Sequence, residues 1–361
     1  MLSLIAIATL FSVVHAAETQ TSLYNWKLPP GFPVPLVPEN NPMSVAKVVL
    51  GKRLFFSTQL SANEQYSCAS CHRPELAFTD GRQTALGSTG ESHTRNTPSL
   101  INTAYNATLG WANNVLVNLE TQHLVPLFNS DPVEMGLNSD NLNTVLRRIN
   151  SSKQMSSLVA RAFPELKVDH LSIELVNKAL ASYIRTLIIA NSPYDRYLYY
   201  DDRSVMSAQA IEGMRLFFSN RLKCSECHAS FNFSGPVVSE NVKHTPSVFH
   251  NTGLYNLDGR GAYPDAGLFL ITKNPADMGA FRAPSLRNVT LTAPYMHDGT
   301  IGSLELVIDF YAHGGRAIVS GPLAGDGRDN PFKRSEIAGF TLTPVQKKQL
   351  IAFLKTLSSS F

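Results

Sequence analysis

The sequence predicts a mostly α-helical protein made of two similar halves. Three observations carry that prediction. Apolar residues recur three and four apart over 145–163, 173–189, 208–218 and 345–357, the periodicity of helices and not of strands. One segment occurs twice: Gly51-Lys52-Arg53-Leu54-Phe55-Phe56-Ser57 returns as Gly213-Met214-Arg215-Leu216-Phe217-Phe218-Ser219. Each copy leads into the same pentad pattern, Cys68-Ala69-Ser70-Cys71-His72 and Cys224-Ser225-Glu226-Cys227-His228. Two copies about 160 residues apart indicate a domain duplication and not a solenoid, whose periods run about 20–50 residues.

From the N-terminus, Leu2 to Val14 is almost wholly apolar, and Val14-His15-Ala16 before Ala17 has the form of a small-residue cleavage site. Residues 1–16 therefore read as a signal peptide, although no Lys or Arg precedes the apolar core. The run is too short to span a bilayer, and no later stretch is long enough. Residues 18–45 hold Pro29, Pro30, Pro33, Pro35 and Pro38 and read as an extended arm. The first domain is expected over 17–195 and the second over 196–361, with the boundary near Ser192 to Asp202. Residues 229–275 are loop-rich with room for short strands. Thr343-Pro344 is a helix start, a hydroxyl N-cap followed by proline in the first turn.

With 43% hydrophobic and 16% charged residues, the chain has ample material for packed cores. A net charge of +3 without a Lys/Arg stripe argues against nucleic-acid binding. Four cysteines are too few for a disulfide scaffold, and the two pentads use all of them. Both pentads match the c-type haem attachment pattern. Two thiols one helical turn apart can each bond a haem vinyl group, and the adjacent His is then aimed at the iron. The residues also admit a zinc site, which wants four ligands at closer spacing, or a redox dithiol, which needs no following His. The haem reading makes the fold two cytochrome c-like haem domains. Export agrees with it, because c-type haem is attached outside the cytoplasm in bacteria. Two haems alone are equally consistent with a non-enzymatic electron carrier.

The repeat and the pentads stand with Phe281-Arg282-Ala283-Pro284-Ser285-Leu286-Arg287-Asn288-Val289 and Thr292-Ala293-Pro294-Tyr295-Met296-His297-Asp298-Gly299. Together they resemble the bacterial di-haem cytochrome c peroxidase superfamily over about residues 40–358. Ordinary peroxidases of that family place a Met fourteen residues after the His of the Pro-Tyr-x-His segment, as ligand to the second haem. The MauG-like branch places a Tyr there, and counting fourteen from His297 gives Tyr311. By periodicity alone, Leu304, Val307, Ile308 and Tyr311 share one helix face, and Gly314-Gly315 ends the helix. That reading is also met by a core tyrosine with a satisfied hydroxyl. A phenolate is a harder, anionic donor that favours oxidised iron more than a thioether does.

The resemblance further implies that the first haem, with His72 proximal, is the open peroxide site. Its acid–base carboxylate would be Glu134, in Val133-Glu134-Met135-Gly136. Gln122 and Pro126 match the distal Gln-x-x-x-Pro spacing, but the loop from Gln122 to Glu134 is slightly longer than in MauG. Trp111 matches the aromatic bridge between the haems, out of register by a single residue. Asn96, Thr292 and Pro294 match the oxygen ligands of an inter-haem calcium ion. His93 and His123 are lesser candidates as removable ligands of the first iron, and Trp26 receives no role. MauG carries a tryptophan before its second pentad for relaying holes to its substrate. Here that position is Leu222, which implies a different exit route or partner.

The implied enzyme is a periplasmic di-haem peroxidase that uses hydrogen peroxide to oxidise a partner protein at tryptophan. One MauG-like branch, accompanying copper-chelating peptide systems, acts on a copper protein, and this chain resembles it. The alternative is peroxide detoxification fed by a small cytochrome or cupredoxin. Covalent attachment is directly testable: denatured, acetone-extracted protein is expected to keep its haem, and Cys68→Ala or Cys224→Ala each to remove one covalent haem. Haem-free extracted protein refutes the attachment reading.

Overall fold

The structure, a computed structural model, describes residues 24–256 and 263–359. The expected signal peptide, residues 1–16, lies outside them. The described chain is mainly helical. In order the helices are α1 Val45–Phe55, α2 Cys68–Cys71, α3 Leu119–Gln122, α4 Leu124–Phe128, α5 Leu142–Ile149, α6 Lys153–Ala162, α7 Ile173–Arg185, α8 Pro193–Tyr199, α9 Ala208–Phe217, α10 Cys224–Cys227, α11 Phe269–Thr272, α12 Leu304–Ala312 and α13 Pro344–Lys355. Among the described residues, sheet is confined to two antiparallel ladders of two-residue strands: β1 Phe249–His250 with β2 Phe281–Arg282, and β3 Ala317–Ile318 with β4 Gly325–Asp326. No helix of the described residues is long and apolar enough to cross a membrane.

Two cores form around two helix pairs. α1 packs on α7, burying Leu50, Leu54 and Phe55 against Val176, Leu180 and Ile184. α9 packs on α13, burying Phe217 against Leu350, Phe353 and Leu354. The repeated glycine is what lets each pair approach. A Cβ on Gly51 would overlap the Ala179 carbonyl oxygen and lie 2.9 Å from the Tyr183 Cβ. A Cβ on Gly213 would overlap the Gln349 carbonyl oxygen and lie 2.9 Å from the Phe353 Cβ. Arg95-Asn96-Thr97-Pro98-Ser99 and Arg282-Ala283-Pro284-Ser285 echo each other and repeat a contact too. Ser99 Oγ donates to Ala77 O (2.6 Å) and Ser285 Oγ to Asn232 O (2.6 Å), each fastening the loop that follows a pentad.

Local chemistry sets the helix ends. Ser44, Ser172 and Ser207 cap α1, α7 and α9 by accepting from backbone N–H groups. Thr343 and Gln346 form a capping box at α13, with Pro344 in its first turn. The stretch 145–163, uniform in its periodicity, is broken. Asn150 turns outward from helix geometry to exchange hydrogen bonds with Leu171 (2.9 and 2.7 Å), and Ser152 restarts the chain as the cap of α6. The arm before α1 has no regular element among its described residues. Tyr194 of α8 already belongs to the second core, and its N–H donates to Thr356 O (3.1 Å).

The glycine contacts give a measurable expectation. Gly51→Ala and Gly213→Ala each force a helix pair apart, and each should cost about 1–3 kcal/mol. Denaturant titration of the holoprotein reads this as a lowered midpoint. An unchanged midpoint would show that the crossings tolerate a methyl group.

Candidate haem sites and active site

Each pentad borders a cavity. The first, of about 340 Å³, is lined by Cys68, Cys71 and His72, and the second, of about 250 Å³, by Cys224, Cys227 and His228. None of the four cysteines is paired in a disulfide; they stand on the single helical turns α2 and α10. Burial pushes Cys68, Cys71 and Cys224 up to about 12 and Cys227 up to about 11, unlike the lowered thiol of a redox dithiol. Among the described residues no group of three or more His, Cys, Asp or Glu converges on a metal position, so the zinc reading has no ligand set.

The histidines are oriented from behind. His72 Nδ1 donates to Phe78 O (2.9 Å). His228 Nδ1 is shared between Phe233 O (3.2 Å) and Pro284 O (3.1 Å). A carbonyl partner on Nδ1 fixes the tautomer that leaves Nε2 as the ligating nitrogen. Cavity, paired thiols and oriented imidazole together fit a covalently attached haem in each half.

Glu134 and Gln122 reach the first cavity from segments laced to each other. Met135 N donates to Pro126 O (2.9 Å) and Leu137 N to Leu127 O (2.9 Å), which ties the Glu134 loop to α4 despite its extra length. Burial raises Glu134 to about 7. Gln122 Oε1 is buried without a partner. So are both ring nitrogens of His123, which lines the same cavity. His93 also lines it. In the sequence, adjacency to Gln122 is the signal that points to His123.

Trp111 lines both cavities. Its Nε1 donates to Asn96 O (2.7 Å), and its carbonyl accepts from Arg282 N (2.8 Å). Arg282, which the sequence reading passed over, also lines both cavities. Asn96, Thr292 and Pro294 all border the second cavity. Asn96 Nδ2 donates to Arg82 O (2.7 Å), so its Oδ1 is the amide atom left to meet a hard cation. All three border that one cavity, and their amide, hydroxyl and carbonyl oxygens are the donor chemistry a calcium ion takes. Trp26 lies apart, stacked edge-on against Tyr24 at 4.8 Å. Leu222 is buried in the second core.

Tyr311 stands on α12 and lines the second cavity with His228. α12 begins at the Ser303 cap and is closed by Gly314 and Gly315, whose N–H groups donate to Tyr311 O (3.0 Å) and Phe310 O (3.2 Å) at positive φ. Among the described residues the Tyr311 hydroxyl has no hydrogen-bond partner. A core tyrosine ordinarily satisfies its hydroxyl, so the cavity side of this ring is where a partner is missing.

Two cavities of this kind define a di-haem c-type protein. Comparison with known proteins goes further: residues 45–203 match the family of di-haem cytochrome c peroxidases. The cytochrome-c peroxidase IdrP1 of Pseudomonas sp. (strain SCT) is 33% identical, covering 92% of this chain and 86% of that protein. The methylamine utilization protein MauG of Methylorubrum extorquens is 32% identical, covering 89% and 81%. A crystal structure of a MauG-like protein associated with microbial copper homeostasis superposes with a TM-score of 0.89 at 45% identity, covering 93% and 95%. The chain belongs to the di-haem cytochrome c peroxidase family, and is an oxidoreductase of the di-haem peroxidase type.

Proposed function

We propose that the chain is a periplasmic, MauG-like di-haem peroxidase that uses hydrogen peroxide to oxidise a tryptophan of a partner protein. The observation that carries the reading is Tyr311, which lines the second cavity with His228 and whose hydroxyl has no hydrogen-bond partner among the described residues. The 45% identity to a MauG-like protein supports the branch and suggests a copper protein as the partner. The leader sequence and the attachment pentads support export. The matched glycine crossings and serine contacts support a duplicated haem-binding unit.

When bound, the haems supply the redox chemistry, accepting two oxidising equivalents from peroxide. The chain's own residues do the rest. His72 and His228 would hold the haem irons through Nε2, and Tyr311 would hold the second through its phenolate oxygen. The Glu134 carboxylate takes the proton of incoming peroxide and returns it to the leaving oxygen. Gln122 Oε1 accepts a hydrogen bond that orients the peroxide. Trp111 couples the two sites, and Asn96, Thr292 and Pro294 hold calcium at the seam. The second reading, peroxide detoxification, is favoured by the relatives named cytochrome c peroxidase.

Because burial lifts Glu134 to about 7, its base form is scarce below that pH and grows above it. The rate constant for reaction with peroxide is expected to rise with pH through about 7 and then level. Glu134→Gln should slow the reaction by roughly two to four orders of magnitude and flatten the profile. Stopped-flow absorbance measures both, and normal turnover in the variant with full haem content would reassign Glu134 to structure.

Tyr311→Met separates the two readings. A thioether in place of the phenolate should raise the potential of the second haem and favour its ferrous form. Haem content should hold, since the thioether links and His228 remain. Oxidation of a partner tryptophan should be lost. Electron paramagnetic resonance and near-infrared spectra report the ligand change. A second-haem spectrum identical to wild type would make Tyr311 a core residue and leave detoxification as the better reading.

A further inference from the structure

Three arginines are buried among the described residues: Arg185, Arg282 and Arg287. Two of them have their own carboxylate. Arg185 Nη2 binds both oxygens of Glu120 (2.9 and 3.0 Å). Arg287 binds Asp195 through two parallel hydrogen bonds of 2.8 Å. Arg282, 8% exposed, has none among the described residues. Its Nε donates to Gly110 O (3.1 Å) and its Nη1 to Ala283 O (3.3 Å), so the described groups it meets are carbonyl dipoles. Arg95, which also lines the first cavity, is already held by Asp265 at 2.7 and 2.9 Å.

A buried cation without an anion costs several kcal/mol, and native chains rarely leave one uncompensated. The place of Arg282 says where its anion comes from. Six residues line both cavities: Asn96, Thr97, Pro98, Ser99, Trp111 and Arg282. Arg282 is the one cation in that seam. A haem fastened through its vinyl edge carries two propionate carboxylates on the opposite edge. Each cavity therefore receives anions, and neither pentad supplies a cation for them. A guanidinium offers five N–H donors in a planar fork suited to carboxylates.

We propose that Arg282 is a shared anion clamp that binds a propionate of each haem across the seam beside Trp111. The proposal rests on the presence of two haems and not on the peroxide or tryptophan chemistry, so the two can fail separately. The clamp places one positive charge against both macrocycles. It should stabilise each ferrous state relative to ferric, and pin the propionate edges on either side of the bridging indole.

The test uses the holoprotein with both haems attached, in wild type, R282Q and R282K. Spectroelectrochemical titration is expected to show R282Q with the ferric form of both haems favoured about tenfold, about 59 mV lower in each potential. R282K, which keeps the charge and loses the fork, should shift by less. Resonance Raman should show altered propionate-bending bands for both haems in R282Q. No shift, or a shift in one haem only, overturns the shared clamp, as does an R282K shift equal to that of R282Q. Should R282Q not retain two haems, R282K decides through its Raman bands: changed bands in both haems support the clamp, and unchanged bands overturn it.

Discussion

Between the two cavities one buried asparagine is tied in three directions, and the seam is built on it. Asn96 N donates to His297 O (2.7 Å), Asn96 O accepts from Trp111 Nε1 (2.7 Å), and Asn96 Nδ2 donates to Arg82 O (2.7 Å). Those partners belong to the segment after the first pentad, to the indole between the cavities, and to the second half of the chain. Each bond is individually modest, of order 1 kcal/mol net. Their joint effect is geometric. The indole is fixed at its only polar atom, and its carbonyl in turn receives Arg282 N from β2. The aromatic plane is thereby referenced to both halves, which a ring held by packing alone would not be.

What was legible in the sequence was what is local or covalent. A pentad states its own chemistry, because thiol spacing and the following His operate within one helical turn. The glycine of the repeat and the Thr343-Pro344 cap are likewise read from neighbours. The placement of Tyr311 on the inward face of α12 followed from period alone, but whether its hydroxyl was satisfied could be seen only with every surrounding segment in place. The Val-Glu-Met string points to Glu134, while the reason it reaches the cavity, the Met135–Pro126 and Leu137–Leu127 bonds, is tertiary.

The misses have the same cause. The break at 150–152 lies inside an unbroken apolar period, because Asn150 is diverted by a contact with Leu171, distant in the chain. Arg282 looks like one basic residue in a motif, and its singularity appears only beside Arg185 and Arg287, which have carboxylates from remote segments. His123 is a lesser candidate by sequence, and only the fold shows both of its nitrogens buried without a partner among the described residues. In each case the decisive fact is a missing or borrowed partner, and partners are not written next to the residue that needs them.

The arm before α1 belongs to the first half by sequence and packs against both halves. Phe32 lies 4.9 Å from the Phe231 ring and 4.8 Å from the Arg287 guanidinium, directly over the buried Arg287–Asp195 pair. Pro33 O accepts from Tyr105 Oη (2.8 Å), and Val34 O from Glu240 N (3.0 Å). The arm is thus a clasp. A nick in the exposed link around Asp201 would cut the covalent path between the halves without cutting the mechanical one, because the Arg287–Asp195 pair spans the cut and the strap lies over it.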